Sequence, residues 1–275
     1  ISFTEPYFLE RDVAAGFDLF RVEREQDSSS FDELRIGGVL RAAYDLAPDL
    51  RQSVNYTLKQ TEIKDVDEDA SRFIKDQEGA RLVSQVGQSL TYDKRDNRLD
   101  PRSGYYIQLS NDVAGAGGDE RFLRTRLRGG YYYPITDEWN FAIFAQAGHI
   151  FGIGEEVNIA ERFFVGGNNF RGFARDGVGP RDLATDDALG GNKYYVGTAE
   201  VTFPNGLPED LGVRTFLFTD VGSLWDVEAS GTDITDDNSI RASVGMGLSF
   251  TTAFGQMRVD AAQAVLKEDY DETEL

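Results

Sequence analysis

The side chains able to do chemistry in this 275-residue chain are few, and their shortage narrows the field. There is no cysteine and a single histidine, His149. Thiol nucleophiles, disulfides and Cys/His zinc sites are therefore excluded, and no Ser/His/Asp set has a second histidine to draw on. His149 closes a strand-like run and reads as a structural or interfacial residue. The acidic run DVDEDA (65–70) spaces its carboxylates as a calcium loop does. An EF-hand, however, takes glycine at its sixth position and glutamate at its twelfth. Counted from Asp65 these are Ala70 and Asp76, so the run reads as a solvated surface loop. The glycines of FFVGGNNFRGFARDGVGP (163–180) suggest a phosphate cradle, but a cradle opens a helix. Gly177, Gly179 and Pro180 follow too closely for one to form. No cofactor is expected. What needs an explanation is Arg171, set between Phe170 and Gly172-Phe173 and preceded by Gly166 and Gly167.

Bulk properties limit the surroundings of that arginine. The formal net charge is −20, which disfavours nucleic acid and anionic surfaces as partners. Mean hydropathy is −0.40, and no apolar run approaches the ~20 residues of a membrane-crossing helix. A membrane-crossing barrel is still allowed, because its lipid-facing residues alternate with polar lumen residues. Ile1 begins mid-pattern without a methionine or signal peptide, and the chain stops after a strand-like run, so a fragment of a longer polypeptide is expected.

The elements that must position Arg171 are strands. In RASVGMGLSFT, Ala242, Val244, Met246, Leu248 and Phe250 share one face, opposite Arg241, Ser243 and Ser249. In LRQSVNYTLKQT, Ser53, Asn55, Thr57, Lys59 and Thr61 oppose Val54, Tyr56 and Leu58. A strand sorts such sets, whereas a helix scatters them. Twelve strands are predicted, near 3–9, 12–24, 33–46, 50–62, 81–93, 103–113, 121–134, 138–150, 194–204, 212–222, 239–251 and 256–266. Many are longer than the ~5–6 residues usual in soluble sheets. Short connections (46–49, 134–139, 203–212, 252–256) alternate with long polar ones (22–33, 61–80, 151–193, 226–239). Tyrosines cluster at strand ends (Tyr131–Tyr133, Tyr194, Tyr195), as in interfacial girdles. The pattern predicts an all-β, transmembrane antiparallel β-barrel with a wide polar lumen.

The long connection 151–193 is too aromatic at its centre for plain disorder. It is expected to fold into the lumen, with Phe164, Phe170 and Phe173 packing and Arg171 reaching a carboxylate that offsets its desolvation. Strand parity turns Glu200 and Asp220 inward as candidate acceptors, either or both of which Arg171 could hold, and Phe218 as a wall. The alternative is an arginine exposed in an outer loop.

FFVGGNNFRGFARDGVGP closely resembles the signature loop of the outer-membrane assembly-factor superfamily, roughly GG…(V)RGF/Y…GP. Further matches follow in order at LTYDKRDNRLDPRSGYYIQL (90–109), DDALGGNKYYVGTAEVTFP (186–204), FTDVGSLWD (218–226) and FGQMRVDAAQAVLKEDYDETEL (254–275). The chain is most similar to the branch that forms the centre of the bacterial β-barrel assembly machine, of an alphaproteobacterial type. Phe170 departs from the valine of many members.

The resemblance implies a 16-stranded barrel behind periplasmic POTRA domains, with residues 1–275 as its C-terminal barrel domain. About 12 strands would be present here, and the first three strands, the last strand and the POTRA domains would be absent. It implies folding and insertion of β-barrel proteins into the Gram-negative outer membrane through a lateral seam and local bilayer destabilisation, with no bond chemistry. Implied partners are unfolded outer-membrane proteins, accessory lipoproteins, periplasmic chaperones and outer-membrane lipid. It also implies that the loop motif (Gly166, Gly167, Phe170, Arg171, Gly172, Phe173) is locked inside the barrel through Glu200, Asp220 and Phe218. Alternatives are a secretion transporter of the two-partner or translocation-module type in the same superfamily, or a passive porin.

Overall fold

The structure, a computed structural model, describes residues 1–26, 30–206, 212–229, 231–252 and 255–275. The connections predicted at 22–33, 203–212, 226–239 and 252–256 each lie partly outside the described residues. All twelve predicted strands are present and form one antiparallel sheet in which every strand pairs with its neighbours in sequence. They are β1 (Ser2–Glu5), β2 (Val13–Gln26), β3 (Phe31–Ala47), β4 (Leu50–Lys64), β5 (Gly79–Asp93), β6 (Gly104–Ala114), β7 (Phe122–Pro134), β8 (Asn140–Gly152), β11 (Lys193–Phe203), β12 (Val213–Trp225), β14 (Arg241–Thr252) and β15 (Gly255–Leu266). β1 and β15 form the two edges and do not pair with each other. β1 ends earlier than predicted. Pro6 has no N–H for the ladder, and the chain turns through a short 3₁₀ segment at Phe8–Glu10.

The connection 153–192 is not featureless. It holds 3₁₀ turns at Ile159–Glu161 and Gly167–Asn169 and two short strands, β9 (Arg181–Asp182) and β10 (Asp187–Ala188). These join β13 (Ile234–Thr235) in a second, three-stranded sheet of order β10-β9-β13. The β4–β5 connection carries one turn of helix, α1 (Arg72–Lys75), begun by Ser71, whose hydroxyl accepts from Phe73 N–H. Four residues are too few to leave a periodic signature, which is why the sequence reading contains no helix there.

The faces sort by parity as expected. On β14, Val244, Met246 and Leu248 are exposed, whereas Arg241, Ser243 and Ser249 are buried. On β4, Val54, Tyr56 and Leu58 are exposed, and Thr57, Lys59 and Thr61 are buried. The wall is a single sheet with its apolar side chains outward, so apolar clusters inside it need something folded against the inner face. The long connections supply it. One cluster joins Phe31, Ile63, Ile74, Ile159, Leu189 and Val227. A second joins Val83, Phe122, Ile150 and Val157, and a third surrounds Phe170 and Phe173.

The outer face carries a polar row in register with Val54 of β4. Gln52 donates to Gln88 (2.9 Å), Gln88 to Asn111 (2.7 Å) and Asn111 to Thr125 (2.8 Å). Each amide passes its proton to the next acceptor, so these outward polar groups are satisfied within the wall. The tyrosines divide between the faces. Tyr131 and Tyr133 are exposed, but Tyr132 packs edge-on to Phe144 and Tyr194 packs on Phe163, 4.7 Å between centroids. Tyr132 and Tyr194 are thus packing residues rather than girdle residues, as their parity requires.

Candidate functional site: a loop locked against the inner wall

The motif loop closes on itself before it meets the wall. The N–H of Gly167 donates to the carbonyls of Phe173 (2.9 Å) and Ala174 (3.1 Å), drawing residues 167–174 into a compact turn. Phe170 and Phe173, 4.7 Å apart between ring centroids, are fully buried and pack with Val165, Val178, Val196 and Leu224. These apolar contacts fix the turn so that Arg171, which follows the first of the two rings, points at β12.

Arg171 meets Asp220 as a two-pronged pair. Nε donates to Oδ2 and Nη2 to Oδ1, both at 2.8 Å, and the Arg171 backbone N–H approaches Oδ2 at 3.3 Å. Thr198 Oγ1, directly across the β11–β12 ladder, donates to Oδ1 at 2.6 Å. The Asp220 carboxylate is buried, so it is desolvated and depends on these donors. The guanidinium carbon lies 3.3 Å from the centroid of the Phe218 ring, adding a cation–π contact from the same strand. Asp260 of β15 stands 3.7 Å from Nη1.

Of the two candidate acceptors that parity left open, Arg171 holds Asp220 and not Glu200, which corrects the pairing with both that the resemblance implied. The register sets Asp220 opposite Thr198 and Glu200 opposite Phe218, one inward step along the wall. The guanidinium covers that phenyl ring, and Glu200 is engaged elsewhere. Arg258 Nη2 donates to Glu200 Oε2 at 2.6 Å while its guanidinium lies 4.0 Å above the Phe216 ring. Two arginine–phenylalanine–carboxylate sets are thus stacked along the wall. Arg258 and Asp260 share the inward face of β15 and were within reach of the same parity reading.

The loop has a second anchor that sequence reasoning did not find. Glu161, in the 3₁₀ turn Ile159–Glu161, is buried between two cations from separate strands. Lys59 Nζ of β4 donates at 2.5 Å, and Arg124 Nη2 of β7 donates to the carboxylate and to the Glu161 carbonyl, each at 2.7 Å. Burial pushes the Glu161 carboxyl upward, but the Lys59 and Arg124 charges prevail and hold it near about 2. Arg35 adds a 3.0 Å bond to the Ala160 carbonyl, and Gln77 accepts from Ile159 N–H at 2.7 Å. The β4–β5 connection straps the far end of the loop, where Ser71 N–H and Oγ each donate at 2.6 Å, to Asp187 and Asp182. Nothing local marks Glu161 in the sequence, because its partners lie about a hundred residues upstream and on β7.

Beside this knot, Glu120 is buried with Arg81 at 3.6 Å and with Oε1 lacking a hydrogen-bond donor. Burial raises its carboxyl to about 7, with Arg81 opposing and Glu161 adding to the rise. Asp65, Asp67, Glu68 and Asp69 of the acidic run are exposed. His149 is exposed on β8, its ring 5.7 Å from that of Phe151.

A family model described as the Omp85 superfamily domain matches residues 1–274. The chain belongs to the Omp85 superfamily. It is 38% identical over 258 residues to the outer membrane protein assembly factor BamA of Neorickettsia risticii, covering 93% of this chain and 35% of that protein. It is 26% identical over 261 residues to BamA of Nitratidesulfovibrio vulgaris, covering 94% and 32%. Among solved structures, BamA from Haemophilus ducreyi lacking POTRA domains 1–3 superimposes with a TM-score of 0.86 at 19% identity, covering 99% of this chain and 59% of that one. CdiB from Acinetobacter baumannii shares the fold more loosely, with a TM-score of 0.57 at 10% identity over 95% of this chain and 45% of that one. The chain spans about a third of the length of these curated relatives. Within the Omp85 superfamily, its twelve-stranded sheet is a transmembrane β-barrel wall of the bacterial outer membrane.

Proposed function

We propose that this chain is the barrel portion of a longer protein that folds and inserts β-barrel proteins into the bacterial outer membrane. It would do so without making or breaking covalent bonds. The observation that carries this reading is the loop anchored inside the barrel, with Arg171 paired to Asp220 over Phe218. The named BamA relatives support it, since both are assembly factors. The described side chains of the site are suited to positioning. Arginine, carboxylate and phenyl groups hold the loop, and no nucleophile–base pair stands beside them.

On this reading the substrates are unfolded outer-membrane proteins, delivered by periplasmic chaperones. Accessory lipoproteins bind elsewhere on the full-length protein, and outer-membrane lipid surrounds the wall. The packed loop clusters over Phe31, Ile159 and Phe170 argue against a passive porin, which needs an open lumen. The test is reconstitution of the full-length protein in liposomes with a urea-unfolded substrate barrel, following acquisition of heat-modifiable mobility. Insertion faster than into protein-free liposomes is expected. Equal rates would overturn the reading. Steady conductance without insertion would point to a porin, and release of one dedicated passenger to a secretion transporter.

A further inference from the structure

The motif loop rests on two walls, and only one of them is β12. The other is β15 with the chain that follows it. The β14–β15 ladder slips by one residue where Ala242 pairs with Leu266 and Ser243 with Ala264. Val265 is therefore left without a partner, a β-bulge that bends the strand locally. Gly172 lies against this bulge. A Cβ on Gly172 would stand 3.0 Å from Ala264 N and from Ser243 Cβ, and its φ of +86° is itself unfavourable for any other residue. Ser243 is fully buried beneath it, and Ala264 packs against the Phe170–Phe173 cluster.

Beyond β15 the chain returns over the same loop. Ala174 N–H donates to the Glu272 carbonyl and Glu272 N–H to the Gly177 carbonyl, both at 3.0 Å. The approach leaves no room for a side chain at Gly177, whose Cβ would fall 2.6 Å from the Glu272 carbonyl oxygen. Arg181 Nη1 reaches the Glu272 carboxylate at 2.5 Å. This returning segment is tied to β14 by a fully buried pair. Arg241 Nε donates to Asp271 Oδ2 at 3.0 Å, and Arg241 Nη2 donates to Tyr270 Oη at 2.9 Å. Tyr270 in turn donates to Asp237 in the β12–β14 connection.

We propose that the bulge of β15 and the segment 270–272 form a latch that positions the loop motif, so that displacing this segment frees Arg171 from Asp220. Asp271 and Arg241 are positioning residues in this scheme. They touch neither Arg171 nor Asp220, yet they fix the backbone to which residues 174 and 177 are bonded. The consequence for assembly rests on the function proposed above, whereas the latch itself does not.

The test separates the two. Ser243→Cys is a near-isosteric reporter covered by Gly172, and these 275 residues hold no native cysteine, so the peptide that carries residue 243 reports this site alone. In the full-length protein in liposomes, labelling of this cysteine by a water-soluble maleimide is followed by mass spectrometry. Asp271→Ala is expected to speed labelling by about tenfold or more, as opening of a locally closed site does. Glu272→Gln, a mild change on a half-exposed side chain, is expected to raise it by about threefold. It serves as the reading if Asp271→Ala does not yield a heat-modifiable barrel. Labelling that stays at the parent rate in a folded variant would overturn the latch. If labelling rises and substrate insertion slows with it, the link to assembly holds. If labelling rises and insertion is unchanged, the latch stands as architecture and its role in assembly is refuted. A parent protein that inserts nothing would count against the proposed function alone.

Discussion

The two anchors of the loop use charge in opposite senses. At the β12 anchor the loop supplies the cation, Arg171, and the wall supplies the buried acid, Asp220. At the β4/β7 anchor the loop supplies the acid, Glu161, and the wall supplies Lys59 and Arg124. The first is a planar fork over an aromatic ring, which demands one orientation. The second is a carboxylate held between two largely buried cations from different strands, with the Arg124 guanidinium also 4.8 Å from the Phe122 ring centroid. One loop thus braces two walls of the lumen, and complementary signs prevent either end from docking at the other's site.

The largest effect should come from breaking the fork. Arg171→Ala leaves Asp220 buried with Thr198 as its remaining side-chain donor, and loss of one partner of a buried pair costs about 3–5 kcal/mol. Denaturant unfolding of the barrel should show a loss in this range, and Asp220→Ala a comparable one. Next is Glu161→Gln, which keeps the shape and removes the charge. Hydrogen bonds to charged groups contribute about 1.5–3 kcal/mol, so a smaller loss is expected in the same assay. A loss exceeding that of Arg171→Ala would reverse the ranking of the two anchors.

A smaller quantity separates Asp220 from Glu200. In double-mutant cycles, Arg171 with Asp220 should be strongly non-additive. Arg171 with Glu200 should add to within about 0.5 kcal/mol, because Arg258 holds Glu200. Substantial coupling to Glu200 would restore it as a partner.

The smallest effect is a pH dependence at Glu120. Its folded carboxyl sits at about 7, above the ordinary 4.5, so the folded state binds a proton more tightly than the unfolded one. Its contribution to stability is fully present below 4.5 and is lost as pH rises through about 7. Glu120→Gln should therefore flatten the stability curve across that window and leave the variant relatively more stable above it. Parallel curves for parent and variant would place Glu120 in contact with a donor.

Much of this arrangement was readable from alternation. Val244, Met246 and Leu248 against Ser243 and Ser249 fixed which way β14 faces, and the same rule turned Asp220 and Phe218 inward beside Arg171. Parity was blind to depth. Glu200 and Asp220 share a face, but only the register, Thr198 opposite Asp220 and Phe218 opposite Glu200, decides which carboxylate the fork can reach. Glu161 was invisible for a different reason: its partners converge only after the loop folds across the lumen. The latch segment 270–272 follows a strand and has no periodicity of its own, so its contacts with residues 174 and 177 carry no local signal.

On the function proposed above, the Arg171 fork keeps the loop in the state that assembles barrels. The most direct measurement is the rate at which full-length Arg171→Ala inserts a substrate barrel into liposomes, with the variant shown to be a folded, heat-modifiable barrel. A fall of about tenfold or more is expected, the kinetic equivalent of about 1.4 kcal/mol. An unchanged rate in a folded variant would contradict it.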